Sequence, residues 1–161
     1  MAIQASIKSN SKLISKKFKH LESKLPRIID KGLKQAGFQL LDIIRTKTQK
    51  GQDFRGRPFA PYSQGYLKQL TKEGKPTRVD LFNTGRMLGS LTPSSTVKPS
   101  GKNKVSLAFS NGQMRQRALF NQVLGKNKRK FFGFNSRTEK IISKQFNRFV
   151  EKEIRGMKLW A

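Results

Sequence analysis

The chain has 161 residues, with 35 Lys and Arg against 9 Asp and Glu, a formal net charge of +26. Counterion screening over a Debye length of about 8 Å softens the self-repulsion without removing it, so a negatively charged partner is expected, and nucleic acid is the commonest. Cys is absent and no run of about 18 apolar residues occurs, which argues against a disulfide framework, a thiolate metal site and a membrane-spanning helix.

The length suits one domain, read as a basic arm over 1–17, a single domain over 18–156 and a short tail over 157–161. The apolar fraction is low at 35%, but 12 Phe are present. Each contributes about 1.5–3 kcal/mol when fully buried, enough for a small core. The N-terminal stretch lacks the apolar segment of a secretory signal, so a cytoplasm-like site of assembly is expected.

In the arm, Lys8, Lys12, Lys16 and Lys17 all precede the first acid, Glu22. From Phe18 the pattern turns helical. Phe18, Leu21, Leu25, Ile29, Leu33, Ala36, Leu40 and Ile43 recur every three or four residues, as one apolar stripe of an amphipathic helix. Pro26 either kinks this helix or opens a second one. The part over 27–48 would run about 33 Å at 1.5 Å per residue, and Gly51 suits a stop.

Residues 50–80 read as a long loop with a turn of helix near 64–70. Asn83 or Thr84 is placed to cap a short helix ending near Ser90. Two strands are expected over 95–97 and 104–109, joined by a hairpin loop over 99–103. A helix over 113–124 carrying Met114, Ala118, Leu119 and Val123 follows, then a basic loop over 125–130 and an extended apolar run over 131–134. Ser136 and Glu139 have capping-box spacing for a last helix that buries Ile142, Phe146, Phe149 and Val150 and ends near Gly156.

Catalytic constellations are poorly supported. The single His, His20, lies among lysines, and no phosphate-binding Gly-rich loop occurs. Asp53 with Glu73 and Lys75 mimics the spacing of one metal-dependent nuclease class, but that class needs its E-x-K on a buried strand, and here it falls in a turn. No enzyme activity, cofactor or metal is expected. Lys126, Lys128, Arg129 and Lys130 form a compact basic loop ahead of Phe131 and Phe132. The favoured arrangement is split, with the phenylalanines in the core and the cations facing a polyanion, touched through its backbone without sequence recognition.

Three further segments stand out, in order along the chain. The first is Asp53-Phe54-Arg55-Gly56-Arg57-Pro58-Phe59-Ala60-Pro61-Tyr62-Ser63, continuing to Tyr66 and Lys68. The second is Leu81-Phe82-Asn83-Thr84-Gly85-Arg86-Met87-Leu88-Gly89-Ser90-Leu91. The third runs from Ala118-Leu119-Phe120-Asn121-Gln122 to Arg129-Lys130-Phe131-Phe132-Gly133-Phe134. In order and spacing they resemble segments of the virion-morphogenesis and tail-completion proteins of the head–tail neck of tailed phages, with Asn121 where many relatives carry His and Lys130 where Pro is usual. The resemblance covers roughly residues 20–155 and leaves the arm without a motif.

The resemblance implies an α+β fold, with a long N-terminal helix and a C-terminal helix packed on a small antiparallel sheet, in a subunit that assembles into a sixfold ring. It implies a structural role, completing or terminating the tail and joining it to the head connector. Its partners would be copies of itself, neighbouring neck and tail proteins, and double-stranded DNA in the lumen, with no membrane. Location would be the virion, assembled in the bacterial cytoplasm. The physical reading agrees. Pro58 and Pro61 stiffen a loop presenting Phe59 and Tyr62 to the core or a partner, Thr84-Gly85 suits a helix start, and Gly133 allows close backbone approach between Phe132 and Phe134. The alternative is a ribosomal- or chromatin-like nucleic-acid-binding module.

Overall fold

A computed structural model describes residues 11–82 and 84–157. Its first element, α1 (Ser11–Gln49), is continuous through Pro26 and spans roughly 58 Å at 1.5 Å per residue. The helix therefore neither restarts at Pro26 nor waits for Phe18. Lys12, Lys16 and Lys17 sit on its first turns, and Lys8 lies outside the described residues.

The expected single stripe is replaced by two packed faces. Ile28, Gly32, Gly37, Leu41, Ile44 and Thr48 are the buried positions of α1, whereas Phe18 is exposed and Leu21, Leu25 and Ile29 are half-buried. The reason is that α1 is gripped from two sides. Gly32 faces α6 (Ser136–Gly156), where a Cβ would lie 2.8 Å from the Phe146 ring and 3.0 Å from that of Phe149. Gly37, five residues on and so about 140° around the helix, faces the hairpin, where a Cβ would lie 2.6 Å from Val97 Cγ1.

In chain order, α2 (Gln64–Lys72), the short turns α3 (Arg86–Gly89) and α4 (Pro93–Thr96), β1 (Val97–Gly101), β2 (Lys104–Leu107) and α5 (Gly112–Leu119) come between α1 and α6. Phe120–Leu124 continues α5 as one π-helical turn. β1 and β2 form a two-stranded antiparallel sheet, with Val97 opposite Leu107 and Pro99 opposite Val105. A bulge between Pro99 and Gly101 and a left-handed Asn103 (φ 55°) close the hairpin more tightly than the expected 99–103 loop. The mixed helix-and-sheet class, the long first helix, the C-terminal helix and the small antiparallel sheet are all as the sequence predicts.

Local differences have local causes. The strand expected over 95–97 begins only at Val97, because Thr92 caps α4 by accepting from Ser95 N, with Pro93 following in the first turn. Gly85, in the left-handed region at φ 67°, takes the cap position of α3 in place of Thr84, and Asn83 lies outside the described residues. Asn135 caps α6 by accepting from Thr138 N at 2.9 Å, which displaces the Ser136–Glu139 box by one position.

Leu119 and Val123 are exposed while Met114 and Ala118 are buried. Leu119 already points about 100° away from Ala118 on α5, and the wider π turn that follows, closed by Gly125 N donating to Phe120 O at 2.6 Å, turns Val123 off the buried side. The core gathers Leu41 and Ile44 of α1 with Phe59, Val79, Leu88, Leu91, Val97, Met114, Ala118 and Phe131. Lys47 ties three parts of it together, donating to Phe54 O at 3.1 Å and to the buried Thr138 Oγ1 at 3.3 Å.

Candidate functional site

The three singled-out segments lie up to about 80 positions apart in sequence and meet around one cleft. The first is built by Asp53. Its carboxylate accepts from Arg55 N and Arg57 N, both at 2.8 Å, and Gly56 turns in the left-handed region at φ 87°. Asp53 is thereby committed to its own turn. Pro58 pairs with Gln52 in an isolated bridge, and Phe59 N donates to Gly51 O, which sends the Phe59 ring into the core. Pro61 leads to Tyr62, which packs edge-on against Tyr66 with centroids 4.9 Å apart. Ser63 caps α2 by accepting from Tyr66 N.

The third segment closes on the first. Arg129 forks onto Ala60 O at 3.3 Å and Pro61 O at 3.4 Å, and its guanidinium stacks 5.0 Å from the Tyr62 centroid. Phe54 N donates to Lys130 O at 3.0 Å. A Cβ on Gly133 would lie 3.2 Å from Phe54 Cγ. The close approach at Gly133 is thus made by Phe54, and not between Phe132 and Phe134. Gln122 holds the returning chain with two bonds to Phe132, accepting from its N–H at 3.0 Å and donating to its carbonyl at 2.7 Å. Arg129 N donates to Asn121 O at 2.7 Å, and the Asn121 amide donates to Arg117 O. Phe131 is 1% exposed, and Phe132 packs beside it and Phe109.

The second segment forms the remaining wall. Gly85 sits against the Phe82 ring, 3.0 Å from where a Cβ would stand, and Met87 and Leu88 anchor α3 in the core. The resulting cleft has a volume of about 300 Å³, lined by Tyr62 from the first segment, Leu81, Thr84, Gly85 and Met87 from the second, Phe120, Asn121 and Arg129 from the third, and Arg117 just ahead of it. Burial pushes the Tyr62 phenol above its ordinary pKa, and Asp80 adds to the rise while Arg129 opposes it. Beside the cleft the π turn presents Phe120, 60% exposed, and Leu124, 65% exposed, with Leu119 and Val123. A phenol, a guanidinium, amides and an apolar ledge thus stand together on this side of the molecule.

The expected polyanion-facing group divides. Lys126, Lys128 and Lys130 are exposed, but Arg129 is turned inward onto the 60–62 backbone and Tyr62. Lys12 and Lys16 are exposed on α1. Asp53 and Glu73 do not converge. Glu73 pairs with Lys75 at 2.6 Å and accepts from Gln69, contacts that hold its carboxyl below the usual range. Among the described residues no cluster of His, Asp or Glu is placed to hold a metal ion.

Asp30 and Lys34 stand at i,i+4 on α1, spacing that suits an ion pair, yet they do not pair. Among the described residues one ion pair forms, Lys75 with Glu73. Sequence reading passed over a further set on α6. Arg137, Lys140, Lys144, Arg148, Lys152 and Arg155 are all exposed at intervals of three or four residues. The same periodicity used for apolar stripes would have found them. Also among the described residues, no helix is long and apolar enough to cross a membrane. No family model, curated protein or solved structure matches this chain.

Proposed function

We propose that the protein is a structural component of the head–tail neck of a tailed phage, a ring-forming subunit that completes the tail and joins it to the connector while DNA passes through the lumen. The observation that carries this reading is the convergence of the three resembling segments. The Asp53–Ser63 loop, the Leu81–Leu91 turn and the Ala118–Phe134 return share hydrogen bonds or contacts around one cleft with an apolar ledge beside it. Residues that match a family's pattern in separate places gain weight when they build one surface. That surface suits contact with a neighbouring subunit, since exposed apolar side chains rimmed by polar groups mark protein interfaces.

The test is location. Gold-labelled antibody against this chain, applied to purified particles, should mark the joint between head and tail, and averaged images of that joint should resolve a sixfold ring. Particles that lack the chain, or carry label elsewhere, overturn the reading. The unpaired cations favour a second one, a nucleic-acid-binding module of the host cell. Absence from particles together with salt-sensitive RNA binding by the isolated monomer would select it.

A further inference from the structure

The outer face of α6 carries the six cations in a single row. At 100° per residue they fall within an arc of about 120°. The face packed on α1, which holds Ile142, Phe146 and Phe149, lies opposite. From Arg137 to Arg155 the row is about 27 Å long, the rise of about eight base pairs of duplex. Among the described residues no carboxylate pairs with any of the six, although Glu151 lies within the arc. Ile141 is the exposed apolar side chain there. Ser136, Ser143 and Asn147, together with the carboxylates of Glu139 and Glu151, line a shallow groove along one flank.

We infer that this face is a contact for the phosphate backbone of double-stranded DNA, bound without regard to sequence. The face lacks the apolar centre a protein partner would need. It also lacks aromatic rings on which the bases of a single strand could stack, because Phe146 and Phe149 face α1. A straight, regularly spaced row of cations flanked by hydroxyl and amide donors matches the rod-like backbone of a duplex. This deepens the neck reading by naming the surface that meets DNA, and its test on the isolated chain is independent of where the chain sits in a particle.

Two triple variants remove equal charge: Lys140→Gln, Lys144→Gln and Arg148→Gln on α6, and Lys24→Gln, Arg27→Gln and Lys31→Gln on α1. All six positions are exposed, so both proteins should keep the wild-type circular dichroism and melting transition. Binding to a labelled duplex of about 30 base pairs is followed by anisotropy between about 50 and 200 mM salt, where each phosphate contact contributes about 0.9 to the slope of log K against log salt. The α6 variant should lose about 2–3 from that slope and bind at least about tenfold more weakly, while the α1 variant loses less than about one. Equal losses in the two variants, an unchanged α6 variant, or no duplex binding by the wild-type chain overturns the assignment. So does tighter binding to a single strand than to the duplex.

Discussion

Replacing Gln122 by Ala removes both bonds that hold Phe132 to the π turn, one to its N–H at 3.0 Å and one to its carbonyl at 2.7 Å. The two backbone groups are part-buried, so water recovers only some of the loss. With each deserted group costing about 1–1.5 kcal/mol, toward the low end of the range for unsatisfied buried groups, the variant should lose about 2–3 kcal/mol. Urea unfolding at fixed ionic strength measures it. With a slope near about 2 kcal/mol per molar, the midpoint should fall by about 1–1.5 M at unchanged slope. Gln122→Glu keeps the acceptor for the N–H but sets a carboxylate oxygen against the Phe132 carbonyl, so its loss should be intermediate or larger, never absent. A midpoint shift below about 0.3 M for the Ala variant, or a wild-type midpoint for the Glu variant, would refute the view that Gln122 fastens the third segment to the core.

Three other outcomes follow from close contacts. Gly37→Ala gains helix propensity of up to about 1 kcal/mol yet should still destabilise in urea titrations. Its Cβ would stand 2.6 Å from the branched, stiff Val97 side chain, and overpacking of this kind costs about 1–3 kcal/mol. Arg129→Lys keeps the charge but loses the fork onto Ala60 and Pro61 and the stack on Tyr62, so thermal unfolding should show a loss of about 1–2 kcal/mol with duplex binding little changed. The Tyr62 phenol has a raised pKa in the folded chain, so the folded state holds its proton longer than the unfolded state does. Its contribution is full below about pH 10 and is lost as pH rises through the folded value. The stability of wild type relative to Tyr62→Phe should fall over that range, and parallel curves would count against burial of the phenol.

The elements were legible where periodicity carried them, and less so where a backbone group chose between competing partners. α6 was visible from Ile142, Phe146, Phe149 and Val150, but its cap passed to Asn135 because that side chain reaches Thr138 N first. α1 was visible as a helix and misread as one-sided. Gly32 and Gly37 interrupt a stripe when read in sequence, yet in the fold they mark where α6 and the hairpin press closest. The cleft was legible only as three separate strings. Gln122 finds its partner ten positions on only because a π turn redirects the chain. Arg129, counted among lysines as one more cation, differs from them in presenting a planar fork, and two nearby carbonyl acceptors and a ring claim it.

The fold separates two kinds of surface that composition alone had merged. Cations fill the outer faces of α1 and α6, where Lys12, Lys16, Lys31, Lys140, Lys144 and Arg148 stand in water with like charges at i,i+3 and i,i+4 spacing. Such neighbours are mildly unfavourable, and the burial of Phe59, Phe131, Leu88 and Leu91 in the core outweighs them. The charge is therefore tolerated by the fold, and among the described residues the acids of α1 and α6 form no ion pair with it. The cleft is different in kind. Arg129 is turned in, and Phe120 and Leu124 stand out, so this region offers apolar area and directional polar groups. A chain that only bound nucleic acid would have little use for that ledge, and one that only packed against like subunits would have little use for the α6 row. Their presence on different elements is what a subunit needs if it is to hold a neighbour with one surface and face a polyanion with another.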